Sequence, residues 1–145
     1  MADVTDHPPF EVAVVTPDGP AFEGEAHMLI VPGAAGEIGV LARHAPLVAT
    51  LKAGSTRIHL SPNEVVEFAT GPGFFKVELD RALALVDDAV SVNEIDDERA
   101  RAQLESAQAE LEKLDAGDST ADRWQLEQRI KHAENQLTVS GRTTG

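Results

Sequence analysis

The prolines of this 145-residue sequence are confined to one part of it. All eight prolines, and eight of the eleven glycines, lie before Asp87. Proline interrupts helices and the interiors of sheets, and glycine and proline together are common turn residues. We therefore predict a turn-rich region up to about Asp87, followed by a region in which helices run without interruption.

Short apolar runs fill the turn-rich region. They occupy residues 10–16, 22–31, 36–41, 47–51, 55–60, 64–70, 74–79 and 82–88. Many short strands at this spacing predict a β-sandwich or a barrel. The run 22–31 predicts a single strand, with Gly24 as the point at which it can break. No helix-length periodic segment separates the runs, so a parallel α/β sheet is not predicted.

The region after Asp87 has the period of two helices. From Asp96 onward the apolar residues recur in steps of four and three, at Ala100, Leu104, Ala107, Leu111 and Leu114. Gly117 suits the C′ position that ends a helix. Ser-Thr-Ala-Asp at 119–122 resembles a capping box, so we predict that a second helix begins there. Its apolar stripe is Leu126, Ile130, Ala133 and Leu137, with Trp124 beside it. Two helices joined by a short polar loop form an antiparallel hairpin.

Alanine makes up much of both helical stripes. Burial contributes about 25 cal/mol per Å² of apolar surface and alanine buries little, so we expect the two helices to hold each other weakly. Residues 87–136 carry fourteen acidic and six basic residues, a net charge of −8. This charge fits either a solvated helical surface or a face that binds a partner, and the sequence leaves both interpretations open.

The formal net charge of the whole sequence is −13. Nucleic acid and anionic lipid are repelled by such a charge, whereas a basic protein partner, or simple solubility, fits it. The absence of cysteine excludes a disulfide framework and thiolate chemistry. The acidic start MADVTDHPP is not typical of a signal peptide, and no apolar run is long enough to span a bilayer. We expect a cytosolic protein that reaches a membrane only through partners.

No motif in the sequence is typical of an active site or a cofactor site. Gly33, Gly36 and Gly39 have the spacing G-x-x-G-x-x-G, which is neither the dinucleotide fingerprint nor a P-loop, so we interpret them as turn residues. We interpret His44 as a residue that forms local hydrogen bonds. None of the five histidines has metal-binding spacing: His7, His27, His44, His59 and His132. We therefore predict a non-catalytic protein without a metal or cofactor.

Three segments together resemble one known family. They are GEIGVLARHAPLVATLKAG at 36–54, GPGFFKVELDRALALVDDA at 71–89 and IDDERARAQLESAQAEL at 95–111. In this order they resemble the epsilon subunit of bacterial F-type ATP synthases, and the resemblance covers nearly the whole chain. The block G-E-x-G-V-L…H-A-P-L is fairly specific. So is Ile95-Asp96-x-x-Arg99-Ala100, which is similar to the family's I/L-D-x-x-R-A motif at the head of the first C-terminal helix.

The resemblance implies a β-sandwich of about ten strands at residues 1–88 and a two-helix regulatory domain at residues 89–145. It implies a rotor subunit of the central stalk of a proton-translocating ATP synthase, peripheral on the cytoplasmic face of the bacterial plasma membrane. The sandwich would grip the gamma subunit and rest on the c-ring. The helices would fold down as a hairpin, or extend along gamma toward the alpha and beta catalytic subunits and block ATP hydrolysis. A weakly held hairpin agrees with such a change.

The resemblance also places contacts with the c-ring and gamma at Glu37, Gly39, His44, Pro46 and Leu47. It puts the loop around Glu37 and Gly39 on the c-ring side and the other three near the rotor contacts. Glycine lets the backbone approach a partner closely, and a glutamate can hydrogen-bond across a wet rim. Where the family often has Pro-Gly before the histidine, this sequence has Ala42-Arg43.

An incomplete nucleotide-binding motif comes with the same resemblance, at Ile95, Asp96, Arg99 and Ala100. In family members that bind ATP between the two helices, arginines late in the second helix meet the phosphates. Here His132 and Gln136 stand at those places. Neither offers the forked cationic donors of arginine, since histidine is mostly neutral at pH 7. We therefore predict that ATP binds poorly.

Two other functions are consistent with the residues. One is a free-standing adaptor, in which the sandwich and the helical hairpin clamp an unrelated protein; co-purification with gamma distinguishes it. The other is a nucleotide-sensing module, which an ATP titration distinguishes.

Overall fold

The structure of the protein is a computed structural model that describes residues 7–144, with side-chain environments for residues 7–141. The chain forms two compact units, one ending at Ser91 and the other beginning at Val92. The described part of the first unit is built from β-strands and that of the second from helices. The distribution of proline and glycine along the sequence predicts this division.

Ten strands form the first unit: β1 (Phe10–Thr16), β2 (Gly19–Ala26), β3 (Met28–Gly33), β4 (Gly36–Val40), β5 (Leu47–Leu51), β6 (Gly54–Ser61), β7 (Glu64–Thr70), β8 (Gly73–Glu78), β9 (Arg81–Val86) and β10 (Ala89–Ser91). Hydrogen bonds link them in the order β10-β7-β6-β3-β5-β8-β9-β1-β2, and β4 pairs with β3 off this path. Strands β1 and β9 are parallel, whereas the other described pairs are antiparallel. The prediction of an N-terminal β-sandwich of about ten strands is confirmed.

The two layers of the sandwich meet at strand β3. This strand pairs with β4 and β6 over several residues, but it pairs with β5 only through Gly33 and Leu51. A Cβ atom at Gly33 would lie 2.6 Å from the carbonyl oxygen of Gly36. Any side chain at Gly33 would therefore push the β3–β4 turn away, and glycine is needed where the layers join.

Side chains that alternate along the strands fill the space between the layers. In β1, Phe10, Val12 and Val14 point inward and are 3%, 2% and 0% exposed. The other strands contribute Ala26, Leu29, Val31, Val40, Leu51, Ile58, Phe68, Phe75, Val77, Ala82, Ala84 and Val86. Two buried threonines satisfy each other, because the hydroxyl oxygens of Thr56 and Thr70 are hydrogen-bonded at 2.9 Å.

Two strand boundaries differ from the sequence prediction. The run 22–31 forms two strands, and the break falls at His27 rather than at Gly24. The N–H of His27 donates to the carbonyl oxygen of His59 at 2.9 Å, because the chain passes there from the side of β1 to the side of β6. The run 82–88 ends at Val86, and a further strand, β10, follows and pairs with β7. The sandwich therefore extends past residue 88.

The second unit begins with a 3-10 turn at Val92–Glu94 and contains two helices, α1 (Asp97–Asp115) and α2 (Arg123–Thr144). Asp96 is the N-cap of α1, and its Oδ1 accepts a hydrogen bond from the N–H of Arg99 at 3.1 Å. This bond satisfies one of the N–H groups that a helix start leaves without a partner. Neither described helix combines the length and the apolar character that crossing a bilayer requires.

The loop between the helices determines where each one ends. Gly117 has a φ of 80° just past the end of α1, which confirms it as the stop. The predicted capping box at Ser119 is wrong, since α2 begins at Arg123. Asp122 caps this helix through Oδ1, which accepts a backbone hydrogen bond at 2.9 Å. Ser119 instead donates its hydroxyl to Oε1 of Glu110 at 2.6 Å and ties the loop to α1.

Small side chains dominate the buried faces of the two helices. Within the part of the helical unit that the structure describes, the buried residues are Ala100, Ala107, Leu126, Ala133, Val139 and Ser140. The predicted stripes are confirmed, because their remaining leucines and isoleucine are partly buried. Trp124 is 66% exposed and adds little to this contact. Because few large apolar side chains are buried, we expect the hairpin to be held weakly by its own contacts.

The pairing of β10 with β7 makes a prediction about fragments of the chain. A fragment of residues 1–91 should unfold in one cooperative transition, because its core lies within this unit. A fragment that stops at residue 88 loses the pairs made by Ala89, Val90 and Ser91. We expect its free energy of unfolding to be lower by about 1–3 kcal/mol, at about 1 kcal/mol for each lost hydrogen bond.

Thermal melts followed by circular dichroism measure both fragments. A broad, non-cooperative melt of residues 1–91 would contradict the division into two units. Equal melting temperatures of the two fragments would contradict the contribution of β10.

Candidate functional site

Glu37 and Gly39 lie on strand β4, so the prediction that they belong to a loop is wrong. The loop is the short turn before them, which Gly36 closes with a φ of 142°. Gly36 is therefore the turn residue that the glycine spacing predicts. Glu37 and Gly39 are both exposed. Strand β4 consequently exposes the carboxylate of Glu37 and the backbone of Gly39 to solvent.

The carboxylate of Glu37 forms an ion pair with the guanidinium of Arg57 on β6. Arg57 lies opposite Ile30 of β3, so its side chain crosses β3 to reach β4. On its other side Arg57 is opposite Glu67 of β7, which accepts a hydrogen bond from the hydroxyl of Ser55. The Arg57 and Glu37 side chains are 38% and 58% exposed. An ion pair this exposed contributes at most about 1 kcal/mol to stability, so its main effect is to orient Glu37.

His59 stands two residues beyond Arg57 on the same face of β6. Burial, and then the positive charge of Arg57, lower the pKa of His59. The imidazole is therefore neutral near pH 7 and adds no second positive charge beside Arg57.

Arg43 precedes His44 in the loop between β4 and β5 and has a φ of 64°. This left-handed conformation favours glycine, the residue that often stands here in the family that the sequence resembles. The N–H of Arg43 donates to Oδ1 of Asp80 at 2.5 Å. That hydrogen bond offsets part of the strain, so the loop keeps a conformation suited to glycine although the sequence has arginine.

His44, Pro46 and Leu47 lie together at the other end of β4 from Glu37. Nδ1 of His44 is 2.7 Å from the carbonyl oxygen of Ala45, a local hydrogen bond of the predicted kind. Pro46 is exposed, and Leu47 begins β5 and packs against the core. The predicted contact residues therefore form two groups rather than one cluster: Glu37 with Gly39 on β4, and the segment 44–47.

A strip of exposed apolar side chains crosses the outer face of strands β5, β8 and β9. We call Val48, Phe74 and Leu85, which are 71%, 62% and 47% exposed, the apolar strip. Phe74 lies opposite Leu85 in the pairing of β8 with β9. Val48 lies opposite Lys76, next to Phe74 on the same face. A contiguous patch of exposed apolar side chains often marks a protein interaction site, whereas single exposed apolar residues are common on any protein surface.

Sequence reasoning missed the apolar strip, although two signals for it are present. Phe74 and Phe75 are consecutive in a strand, so one of them must point outward. In β9 the inward positions hold Ala82, Ala84 and Val86, whereas Leu85 points outward. A strand that buries alanine and exposes leucine has a second surface to cover.

The four residues of the nucleotide motif are arranged around the start of α1. Asp96 caps the helix, Arg99 is exposed and Ala100 is 1% exposed. Ile95 is partly buried in the segment before the cap. The motif therefore accounts for a helix start and leaves only Arg99 to meet a phosphate. Among the described residues no group of three or more histidine or acidic side chains is placed to hold a metal ion.

Comparison with known families matches residues 9–92 to the family described as "ATP synthase, Delta/Epsilon chain, beta-sandwich domain". The ATP synthase epsilon chain of Halalkalibacterium halodurans is 38% identical over 136 residues, which cover 93% of this chain and 99% of the relative. The chain belongs to the ATP synthase epsilon chain family. The family resemblance read from the three sequence segments is confirmed.

Other members of the epsilon chain family agree over similar lengths. The ATP synthase epsilon chain of Bacillus pumilus is 33% identical over 133 residues, 91% of this chain and 97% of the relative. Among solved structures, a chain of the Euglena gracilis mitochondrial ATP synthase has a TM-score of 0.71 at 22% identity, covering 91% of this chain and 82% of that one. This last likeness concerns the fold alone.

Within the epsilon chain family, this chain is expected to bind ATP poorly. Its second helix has His132 and Gln136 where cations would be needed, and the carboxylate of Asp96 is used as a helix cap. Each missing charge-assisted hydrogen bond weakens binding by about 1.5–3 kcal/mol, or roughly one to two decades. Isothermal titration with Mg-ATP should give a dissociation constant near or above about 1 mM.

A variant designed to bind ATP more tightly tests the same explanation from the opposite direction. The double variant His132→Arg with Gln136→Arg should tighten ATP binding at least about tenfold, since each arginine adds forked cationic donors. Lys131→Arg, on a neighbouring position of α2, keeps the charge unchanged and serves as the control. A dissociation constant of the unaltered chain below about 100 μM would show that another cation completes the site.

Proposed function

We propose that the chain is a non-catalytic central-stalk subunit of a proton-translocating F-type ATP synthase. In this role it binds gamma through its sandwich, contacts the c-ring and restrains ATP hydrolysis through its helices. The observation that carries the proposal is the apolar strip, which leaves a sandwich of the epsilon chain family with an uncovered protein-binding surface. Similar chains belong to structures described as "OSCP/F1/c-ring" and "central stalk/cring".

Gamma is the partner that we assign to the apolar strip. Burying a side chain such as Phe74 or Leu85 stabilises a complex by about 1.5–3 kcal/mol each. Two or three such side chains in the centre of an interface act as hot spots around which polar contacts need only exclude water. Through gamma and the c-ring the chain would lie on the cytoplasmic face of the plasma membrane.

The c-ring is the partner that we assign to Glu37 and Gly39 on strand β4. Arg57 holds the Glu37 carboxylate in place, yet the carboxylate stays more than half exposed. An oriented, accessible carboxylate accepts a charge-assisted hydrogen bond without the entropic cost of ordering a free side chain. The neighbouring Gly39 lets a partner approach the backbone of the strand.

Charge reversal at Glu37 tests the assembly. In reconstitution with purified gamma and c-ring, Glu37→Lys should weaken c-ring docking by about tenfold or more, because a carboxylate acceptor is replaced by a cation. Binding to gamma alone should change less than about twofold, and the melting temperature should change little, since the lost ion pair is exposed. Glu64→Lys, the same change at an exposed site at the start of β7, is the control.

Exchanging the charges of Glu37 and Arg57 separates the effect of the ion pair on c-ring docking from the effect of the carboxylate itself. The double variant Glu37→Arg with Arg57→Glu restores an internal ion pair but leaves the docking position positive, so c-ring docking should stay weak. Recovery of docking in this variant would mean that the ion pair, and not the carboxylate, is what the c-ring needs. Failure of the unaltered chain to co-purify with gamma would instead favour the adaptor function.

The brake on hydrolysis is assigned to helices α1 and α2. Among the helical residues whose side chains the structure describes, half of the buried ones are alanine, and Leu126 and Val139 are the larger apolar ones. A change between a folded hairpin and an extended form then requires only a few kcal/mol of differential contact with a partner. The extended form is the one that would reach the catalytic subunits.

Two variants should move hydrolysis in opposite directions. Deleting residues 92–145 should raise ATP hydrolysis by the assembled enzyme, because the brake is removed. Ala107→Leu overpacks the hairpin by about 1–3 kcal/mol and should favour the extended form, lowering hydrolysis. Ala102→Leu, at an exposed position of the same helix, should leave the rate unchanged.

Steady-state hydrolysis by the reconstituted complex measures all three variants. Unchanged rates for both the deletion and Ala107→Leu would mean that these helices are not the brake. A rise in rate for Ala107→Leu would mean that the folded hairpin is the inhibitory form.

A further inference from the structure

Three residues other than glycine have a positive φ in the described chain, and they form one cluster, because a hydrogen bond joins Arg43 to Asp80 and Leu79 directly precedes Asp80. Arg43 has a φ of 64°, Leu79 of 51° and Asp80 of 59°. The carboxylate of Asp80 accepts the N–H of Arg43 at 2.5 Å, and its carbonyl oxygen accepts the N–H of Glu11 at 3.0 Å. The cluster lies at the end of the sandwich where β8 turns into β9. Backbone strain of this kind gathers at functional sites more often than elsewhere.

Within this cluster, Leu79 is the residue whose identity contributes least to the stability of the fold. Glu78 pairs with Arg81, so Leu79 and Asp80 form a two-residue hairpin turn. Such a turn, with positive φ at both positions, strongly favours Asn-Gly or Asp-Gly. Leu79 is nevertheless 88% exposed, so its side chain gains almost no burial in return for the strain. An apolar side chain held outward in this way is suited to insertion into a partner.

An acidic groove of about 880 Å³ opens beside Leu79. Its lining includes Ala13 of β1 and Leu83 of β9. Four carboxylates line it, against two cations: Glu11, Glu23, Glu25 and Glu78, with Lys76 and Arg81. The lining therefore combines apolar side chains with a net negative charge.

The two cations of the acidic groove are already paired within the chain. Lys76 lies 3.0 Å from Glu78, and Arg81 lies 3.0 Å from Glu11. Glu25 is directly opposite Glu11 in the pairing of β1 with β2, an arrangement of like charges that destabilises a sheet. Within the residues that the structure describes, neither Glu23 nor Glu25 has an ion-pair partner. Two carboxylates are thus left for a cation from another molecule.

We infer that Leu79 and the acidic groove receive a segment of gamma in which an apolar residue stands next to lysine or arginine. This inference rests on the proposed function, because gamma is the partner assigned there. The groove shares a sheet face with the apolar strip, since Leu83 of the groove and Leu85 of the strip are two residues apart on β9. Leu79 enters an apolar recess of gamma, and the basic side chain of gamma lies between Glu23 and Glu25.

The negative charge of the groove favours a basic segment of gamma over a second copy of the chain or an anionic lipid surface. A second copy of the chain carries a net charge of −13 and would be repelled by the groove. An anionic lipid surface is repelled for the same reason. A basic segment of gamma instead relieves the repulsion between Glu25 and Glu11, and its attraction to the groove should weaken as salt is added.

The first experiment separates the fold from the docking. Leu79→Asn places a residue that tolerates positive φ in the turn, so the melting temperature should rise by about 2–5 °C. Affinity for purified gamma, measured by titration calorimetry with the full chain, should fall by about tenfold. Val65→Thr changes an exposed apolar side chain on β7 and should leave the affinity unchanged.

The second experiment tests the charge of the groove. The double variant Glu23→Gln with Glu25→Gln should bind gamma more weakly at low salt, by about five- to tenfold, and its affinity should depend less on salt. Asp18→Asn with Glu64→Gln removes the same number of charges at exposed positions outside the groove and should keep the salt dependence of the unaltered chain.

The outcomes distinguish this inference from the function on which it rests. Absence of gamma binding by the unaltered chain overturns the proposed function and the inference together. If Phe74→Ser weakens gamma binding but Leu79→Asn and the double glutamate variant do not, the apolar strip is the docking surface and the groove is not. Concentration-dependent dimerisation that Leu79→Asn abolishes would show that a second copy is the occupant, and this too would overturn the inference.

Discussion

Strand β3 pairs with β4 along one edge and with β6 along the other, and at its last residue, Gly33, it also meets Leu51 of β5. No side chain fits at Gly33, because it would meet the carbonyl oxygen of Gly36 and the side chain of Ile38 in the β3–β4 hairpin. Two features of the functional surface depend on this arrangement. Strand β4 lies within reach of Arg57, which orients Glu37. Strand β5 starts the second layer and brings Val48 to its outer face, next to Phe74.

In the second layer, strand β9 buries small side chains at two of its inward positions and exposes a large one. Strand β9 buries Ala82 and Ala84 and leaves Leu85 outside. Small inward side chains let the layers pack closely, whereas large outward ones remain in water until a partner covers them. The strained turn at Leu79 belongs to the same hairpin. Apolar exposure and backbone strain both lower the stability of the isolated chain, and strain of this kind is found at functional sites more often than elsewhere.

The stability of the helical unit is low for a different reason, namely the weak contact between its two helices. Asp96 and Asp122 define where its helices begin, so each helix is well specified locally. The contact between the helices is less well specified, because Ala100, Ala107 and Ala133 bury little surface. Local definition combined with weak packing suits an element that exchanges one set of contacts for another without unfolding its helices.

The sequence by itself determined the order of elements, the strand-rich and helical regions and the family. Proline, glycine and apolar period act locally, and so do caps such as Asp96 and stops such as Gly117. It did not determine that the chain breaks at His27 or that β10 completes the sheet, because both depend on which strands become neighbours. The ion pair between Glu37 and Arg57, the hydrogen bond between Arg43 and Asp80 and the outward position of Leu79 likewise join residues far apart in the chain. Only the tertiary structure decided these, since the face that a side chain occupies, and what lies opposite it, follow from strand register rather than from local sequence.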